Sequence, residues 1–488
     1  MKKILIQTFI LLSVCTLTGC QKFLDVNVDP TRPNDASMAT LLPSVIYGTA
    51  QFNYSTAYSV CQYAQQIGGG VDGQSPITLD GSWTSLYLTV VPNLNIIIKK
   101  GQETKSPEYV GVAKVLLAMN IALASDMWEN VPYSQADQSD KGTFKPAYDT
   151  QESIYTEVIK LLNEGITALK DPGNEFSQSP AADDLIYGGD ANRWIKLANT
   201  LKARYALHLS KKGATKAATD ALAALASGAM TDNADDFQLV YVTGFLSPWN
   251  QVALANYTGN LTIAQGFQYV GLMNGTVYPT IDPRLSLVAG SLKTGFVYKT
   301  PQDYIGTKPG AGSLKTVDFT RTTYHTTANA PLIMVSFAET KLLEAEARFL
   351  ANGGTKTSKG STAEAYAAYL AGMRANMLKT GVTVANITAY QNAKDVGVGA
   401  SALSLENIMT EKYKALFLNA EVWNDLRRYD QDPVVFKGLT LPDPQFQDAE
   451  TRGKWIQRAR YPTTETARNQ DNVVANTKTL DAAMWLFK

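Results

Sequence analysis

The chain has 488 residues, 44 Lys and Arg against 44 Asp and Glu, only 18% charged residues and two histidines. Balanced charge without a basic run excludes a nucleic-acid binder, which needs a cationic footprint for phosphates. His208 and His325 lie far apart, which excludes a His-rich zinc site and a HExxH helix.

Lys2 and Lys3 precede a short apolar run from Ile4 to Val14, and Leu17-Thr18-Gly19-Cys20 closes it. That run is too short for a permanent membrane span and reads as a cleaved export signal over residues 1–19. Its last four residues resemble a bacterial lipobox, which makes Cys20 the lipidated first residue of the mature protein. Each buried CH₂ of an acyl chain contributes about 0.8 kcal/mol, so several chains hold a domain on a membrane. Cys15 leaves with the signal and Cys20 is acylated, so Cys61 stands alone and no intrachain disulfide forms. No second long apolar stretch is evident, so no membrane span is expected after the leader.

Residues 20–40, with Pro30 and Pro33, read as a lipidated tether. A helical pattern starts at Leu41. Tyr109 to Trp128 is apolar almost throughout, as a buried helix would be. Asp149 followed by Glu152 offers a capping box, behind which Ile154, Val158, Leu161, Leu162 and Leu169 line one face. Gly188-Gly189-Asp190 leads into a stripe of Trp194, Leu197, Leu201, Tyr205 and His208, so His208 reads as a packed core histidine. Residues 231–330 are rich in Gly, Asn, Thr, Pro and Tyr, and read as a loop-rich insertion with a few short strands. Helical patterns resume over Pro331 to Leu350, Ala363 to Leu378 and Leu405 to Arg428. Paired helices with small and aromatic inner residues suggest a tetratricopeptide-like scaffold, without a fixed repeat length.

Several stretches in order carry a resemblance. They are Phe23-Leu24-Asp25-Val26-Asn27 with Asp29-Pro30, Val131-Pro132-Tyr133-Ser134-Gln135-Ala136 after Asp126-Met127-Trp128, and Gly188-Gly189-Asp190 with Trp194 to Asn199 and Arg204. Further on come Glu339 with Glu344-Ala345-Glu346, then Glu411-Lys412-Tyr413, Glu421-Val422-Trp423, Arg427-Arg428 and Arg460-Tyr461-Pro462. Together they resemble the SusD/RagB family of outer-membrane lipoproteins of Bacteroidetes, in its SusD-like subgroup, over nearly the whole mature chain. Glu411, where glutamine is usual, and Asn419-Ala420 depart from the pattern. The resemblance implies a mainly α fold, with residues 41–488 as one SusD-like domain and a loop-rich ligand face. It also implies a lipid-anchored, outward-facing protein of the outer membrane, partnered by a SusC-like TonB-dependent transporter and free of catalysis. Oligosaccharide is the expected cargo, with a peptide ligand of the RagB type or a helical envelope scaffold without ligand as alternatives.

Enzyme motifs are missing: no GxSxG elbow, Walker loop or HExxH occurs. Asp183-Asp184 and Asp235-Asp236 mimic paired carboxylates, but adjacent acids in turns read as solvated or capping. No cofactor is expected, and nothing supports structural Ca²⁺. For neutral sugars, aromatic rings and amides are the relevant groups. The candidates are Trp249, which Ser247-Pro248 is expected to project from a turn, with Tyr257, Tyr241 and Tyr278 from the same region. Trp83 with Tyr87 forms a second candidate cluster. Glu411, Trp423, Arg427 and Arg428 read as structural, with ion-paired arginines and a packed aromatic.

Overall fold

In the computed structural model, residues 36–69, 75–242, 244–308 and 315–488 are described; Cys20 and the tether up to residue 35 lie outside them. Helix α1 (Met38–Tyr63) starts at Ser37, whose side chain accepts the Thr40 N–H. Strand β1 (Ile67–Gly69) follows. The short helix Asp80–Ser85 continues through a π-helical turn, Leu86–Val90, into α2 (Val91–Glu103). Helix α3 (Pro107–Trp128) is buried almost end to end. It is long and apolar enough to cross a membrane, which corrects the expectation that no such stretch follows the leader. Its surroundings settle its use, since neighbouring helices cover it and it serves as the core helix.

Helix α4 (Gln151–Leu169) lies against α3, and the two backbones approach at Gly111 and Gly165. A Cβ at Gly111 would sit 2.9 Å from the Gly165 carbonyl oxygen, so only glycine fits. The cap of α4 is Thr150, whose hydroxyl accepts the Ser153 N–H, and not Asp149. Asp149 turns back and accepts the Tyr133 and Ser134 N–H groups at 2.9 and 2.8 Å, which corrects the capping-box expectation. Asp190 does cap α5 (Ala191–His208), accepting from Asn192 and Arg193. Helix α6 (Ala214–Ala226) packs back on α5.

The 231–330 region contains β2 (Phe237–Leu239), α7 (Pro248–Tyr257) and β3 (Ile263–Gln265) among loops. Then come β4 (Leu332–Val335), α8 (Phe337–Ala351), α9 (Ala363–Lys379), α10 (Leu405–Ala415) and α11 (Glu421–Arg428). Antiparallel pairs β1–β3 and β2–β4 stitch the loop-rich region to the helical body. The pairs α3–α4, α5–α6 and α8–α9 pack successively, with α6 also against α8, so the fold is mainly α with few short strands, as expected.

Two helix assignments change. Leu332–Val335 is a strand, because Ser336 caps α8 and leaves the apolar run before it to pair with β2. The helix expected over Leu405–Arg428 is broken at Leu416–Ala420, where Leu418 takes a positive φ of 63°. Gln66 fills the break: its side-chain oxygen accepts the Leu418 N–H at 3.0 Å, and its amide donates to the Tyr413 and Leu416 carbonyls.

Buried ion networks join the C-terminal helices. Arg428 bonds Glu346 and Asp425, and Lys412 reaches Asp425 at 3.0 Å. Arg284 bridges Asp282 and Glu411, while Arg204 pairs with Glu339 at 2.6 Å. The Arg427 guanidinium lies 3.6 Å over the Trp423 ring. Glu411, Trp423 and Arg428 are structural, as expected; Arg427 is equally buried, but its guanidinium donates to Asn424 Oδ1 and the Gln457 carbonyl and not to a carboxylate, which corrects the ion-pair expectation there. Burial alone would raise the Glu346 carboxyl, but Arg428 and Lys412 outweigh it and hold it down, from an ordinary 4.5 to about 2. A depressed carboxyl stabilises the fold above its unfolded pKa and loses that contribution as pH falls through the folded one. Stability should therefore drop by about 3 kcal/mol on this account between pH 4.5 and pH 2. Urea titrations at stepped pH check it, and Glu346→Gln should flatten that decline.

Candidate functional site

Helix α1 carries no charged residue in its 26 positions. Leu42, Val45, Ile46, Phe52 and Val60 are sealed in the core, while Tyr47, Gln51, Tyr54, Ser55, Tyr58 and Ser59 stay wholly or partly open. A half-open helix normally turns charges to water, so an uncharged Tyr, Ser and Gln face is informative. Opposite it, Leu79, Gly81, Ser82 and Ser85 form a second wall, and the cleft between them has a volume of about 450 Å³. Ser55 and Ser82 hydroxyls meet at 2.6 Å and tie the walls together at the base. The second wall is fixed from elsewhere: Asp80 accepts the Thr463 N–H and hydroxyl at 2.9 and 2.7 Å.

Trp249 backs the tyrosines. Its ring stands edge to face with Tyr54 at 5.0 Å and lies 6.3 Å from Tyr58, with Phe319 at 5.8 Å behind it. Burial, and then Tyr58, pushes the Tyr54 phenol up to about 12, and burial also raises Tyr58. Both phenols are neutral at ordinary pH, each an apolar ring with a hydroxyl handle. No charged side chain lines the cleft among the described residues. The larger groove of about 730 Å³ between α2, α3 and α4 differs in this, with Lys105, Lys114, Glu164 and Asp171 in its walls. Neutral rings beside hydroxyls and an amide suit a neutral, polyhydroxylated ligand, whose C–H faces stack while its hydroxyls exchange hydrogen bonds.

The sequence candidates fall in different places. Trp249, Tyr241 and Trp83 are 2%, 4% and 5% exposed. Trp249 is not projected from a turn: Pro248 is the first residue of α7, and the indole points inward behind Tyr54 and Tyr58. Trp83 packs on Trp128 and Tyr87 at 5.0 and 4.7 Å, directly after cleft residue Ser82. Tyr257, 69% exposed, ends α7 outside the cleft lining. Tyr278 bonds Glu406 and Thr410 at 2.8 and 3.1 Å and is likewise outside it. Tyr54 and Tyr58 were missed by composition-led reasoning. Their signal is a Tyr-Ser pair repeated four residues later in an uncharged helix.

The paired acids are used internally. Asp184 accepts from Ile186, Tyr187 and Gly189 N–H groups and from the Trp194 indole, and Asp183 accepts the Tyr109 hydroxyl. Asp235 pairs with Lys196 and Asp236 with Lys379. Asp184, Asp235 and Asp236 are buried, which corrects the solvated half of the expectation, while the capping half holds for Asp184, on three backbone N–H groups, and for Asp235, in a capping box with Asp232. Asp126, His208 and Glu421 bring ligand-type atoms within 4.8 Å of one another. Their hydrogen bonds are already made, with His208 Nδ1 at 2.7 Å from the Tyr155 hydroxyl and Nε2 at 2.5 Å from Glu421. His208 is a packed core histidine. Burial, with Lys379 nearby, pushes His325 down to about 3 and keeps it neutral.

Known folds match this architecture over more than nine tenths of the chain. A SusD/RagB family protein from Bacteroides thetaiotaomicron is 21% identical at TM-score 0.72, covering 93% of this chain and 99% of its own. A SusD homolog from Bacteroides fragilis is 20% identical at TM-score 0.72, covering 92% and 100%. A chitin-binding SusD homolog from Flavobacterium johnsoniae is 18% identical at TM-score 0.66, covering 92% and 96%. Comparison with curated proteins gives no match. The family model described as starch-binding, associating with outer membrane, matches residues 30–462. With that match and the helical fold these proteins share, the chain belongs to the SusD-like family.

Proposed function

We propose that this protein captures neutral oligosaccharides at the cell surface and hands them to a SusC-like TonB-dependent transporter, held to the outer membrane through acylated Cys20. The observation that carries this reading is the uncharged cleft of Tyr54, Tyr58, Gln51 and serines. A peptide brings charged termini and side chains, and this lining offers them no ionic partner. Calorimetry with a panel of neutral oligosaccharides and a matched panel of short peptides tests the ligand class. Heat from glycans alone is expected, and binding of peptides alone would sink the proposal. The anchor has its own test: Cys20→Ala should move the protein from the membrane fraction to the soluble one, and unchanged fractionation would remove Cys20 from the account.

A further inference from the structure

We propose that a pocket at the C-terminal end of α11 binds a ligand carboxylate, with Arg427 as its counterion. This goes beyond the oligosaccharide reading and does not depend on it. The pocket has a volume of about 330 Å³ and shares no lining residue with the cleft on α1.

Arg427 lines this pocket and is the exception among the buried arginines. Among the described residues, Arg204 pairs with Glu339, Arg284 with Asp282 and Glu411, Arg428 with Glu346 and Asp425, and Arg458 with Glu129. Arg427 pairs with no carboxylate. Its guanidinium is held between the rings of Trp423 at 3.6 Å and Phe487 at 4.6 Å. Its N–H groups meet only neutral acceptors. Nε donates to the Trp423 carbonyl at 3.3 Å, Nη1 to the Gln457 carbonyl at 2.8 Å and to Met484 Sδ at 3.4 Å, and Nη2 to Asn424 Oδ1. Nη2 carries two hydrogens, so one N–H is left without an acceptor among the described residues. The nearest acids, Asp126 and Glu421, lie beyond Asn424, whose amide donates to them at 2.9 and 3.0 Å. Burial pulls the Arg427 guanidinium down to about 9, although Asp126, Tyr155 and Glu421 act the other way.

The pocket's own acids are already answered. Asp430 pairs with Lys211 and Lys356, and Asp481 with Lys454 at 2.7 Å. The remaining charge in the wall is Arg427. Around it stand the half-buried Trp455 and the amides of Gln431 and Gln457, which share a 3.3 Å bond. Asp430 and Gln431 take consecutive positive φ values of 62° and 49°, a backbone strain that collects at ligand clamps. A carboxylate supplies what this arrangement lacks, an ionised acceptor for a desolvated guanidinium. A sugar acid and a peptide C-terminus both carry that group.

Calorimetry at fixed ionic strength in sodium chloride, with D-glucuronate, acetylglycine and glucose as probes, tests the site. Heat from at least one carboxylate and none from glucose is expected. Glucuronate alone would assign a sugar acid, and acetylglycine alone a peptide end. Arg427→Gln should weaken carboxylate binding roughly tenfold or more. Because that change disturbs the core, Ala483→Phe provides a second variant: it fills the pocket, leaves the arginine in place, and should abolish binding with circular dichroism unchanged. Binding should persist in the double variant Tyr54→Ala with Tyr58→Ala, which separates this site from the cleft. No heat from either carboxylate, equal heat from glucose, or binding that survives Ala483→Phe overturns the proposal. Loss of neutral oligosaccharide binding would leave it standing.

Discussion

Arg428→Met is expected to destabilise the protein by about 3–5 kcal/mol, the usual cost of removing one partner from a buried ion pair. Arg428 and Glu346 side chains are both fully buried. The guanidinium donates to Glu346 Oε2 at 2.6 Å and to Asp425 Oδ1 at 2.9 and 2.7 Å. Tyr429 adds a 2.6 Å bond to Glu346, and Lys412 sits 3.0 Å from Asp425. Methionine fills much of the space but leaves two carboxylates facing a single lysine in a medium that does not solvate them. Urea unfolding should show a lower midpoint with an unchanged slope, because the native fold and the surface exposed on unfolding stay the same. Replacing the whole group with apolar residues of similar volume should restore part of the loss, since the penalty lies in the orphaned charge. A midpoint within experimental error of wild type would remove the network from the account of stability.

The second large effect concerns binding. Tyr54→Ala with Tyr58→Ala should weaken oligosaccharide affinity by about 2 kcal/mol, roughly thirtyfold, because buried aromatic contacts dominate such sites. Tyr58→Phe keeps the ring and should cost only a few-fold. Trp249→Ala touches no cleft surface directly, yet it removes the support under Tyr54 at 5.0 Å and should loosen binding through ring position. Titration calorimetry on the three variants separates stacking from support. Full affinity in the double variant would move the ligand site away from α1.

Much of the scaffold was readable before any coordinates. Asp190 announces α5 by its own chemistry, and the stripe from Trp194 to His208 follows helical spacing, so local rules suffice there. The failures share a cause in distant partners. The break at Leu418 depends on Gln66, 352 positions away in sequence, and nothing around Leu418 signals it. The strand Leu332–Val335 is an apolar run that suits strand or helix equally until β2 is present to pair with it. Ser247-Pro248 reads as a turn, but the same pair starts a helix when proline takes its first position, and that reversal sends Trp249 inward. For the site, composition indicated aromatic and amide chemistry. The tyrosines that open to the cleft stand on α1, outside the tyrosine-rich region 231–330.

The cleft's ownership is split between two kinds of structure. Tyr54 and Tyr58 stand on a helix whose far side is sealed in the core, whereas the indole behind them belongs to α7 of the loop-rich region. Drift in the sequence around α7 can tilt that wedge and so retune the angle between the two rings, while every residue that lines the cleft stays the same. The shape of the cleft can then diverge among descendants that keep an identical lining. For inheritance, the variable to follow is the wedge and its neighbours, with the tyrosines as the constant.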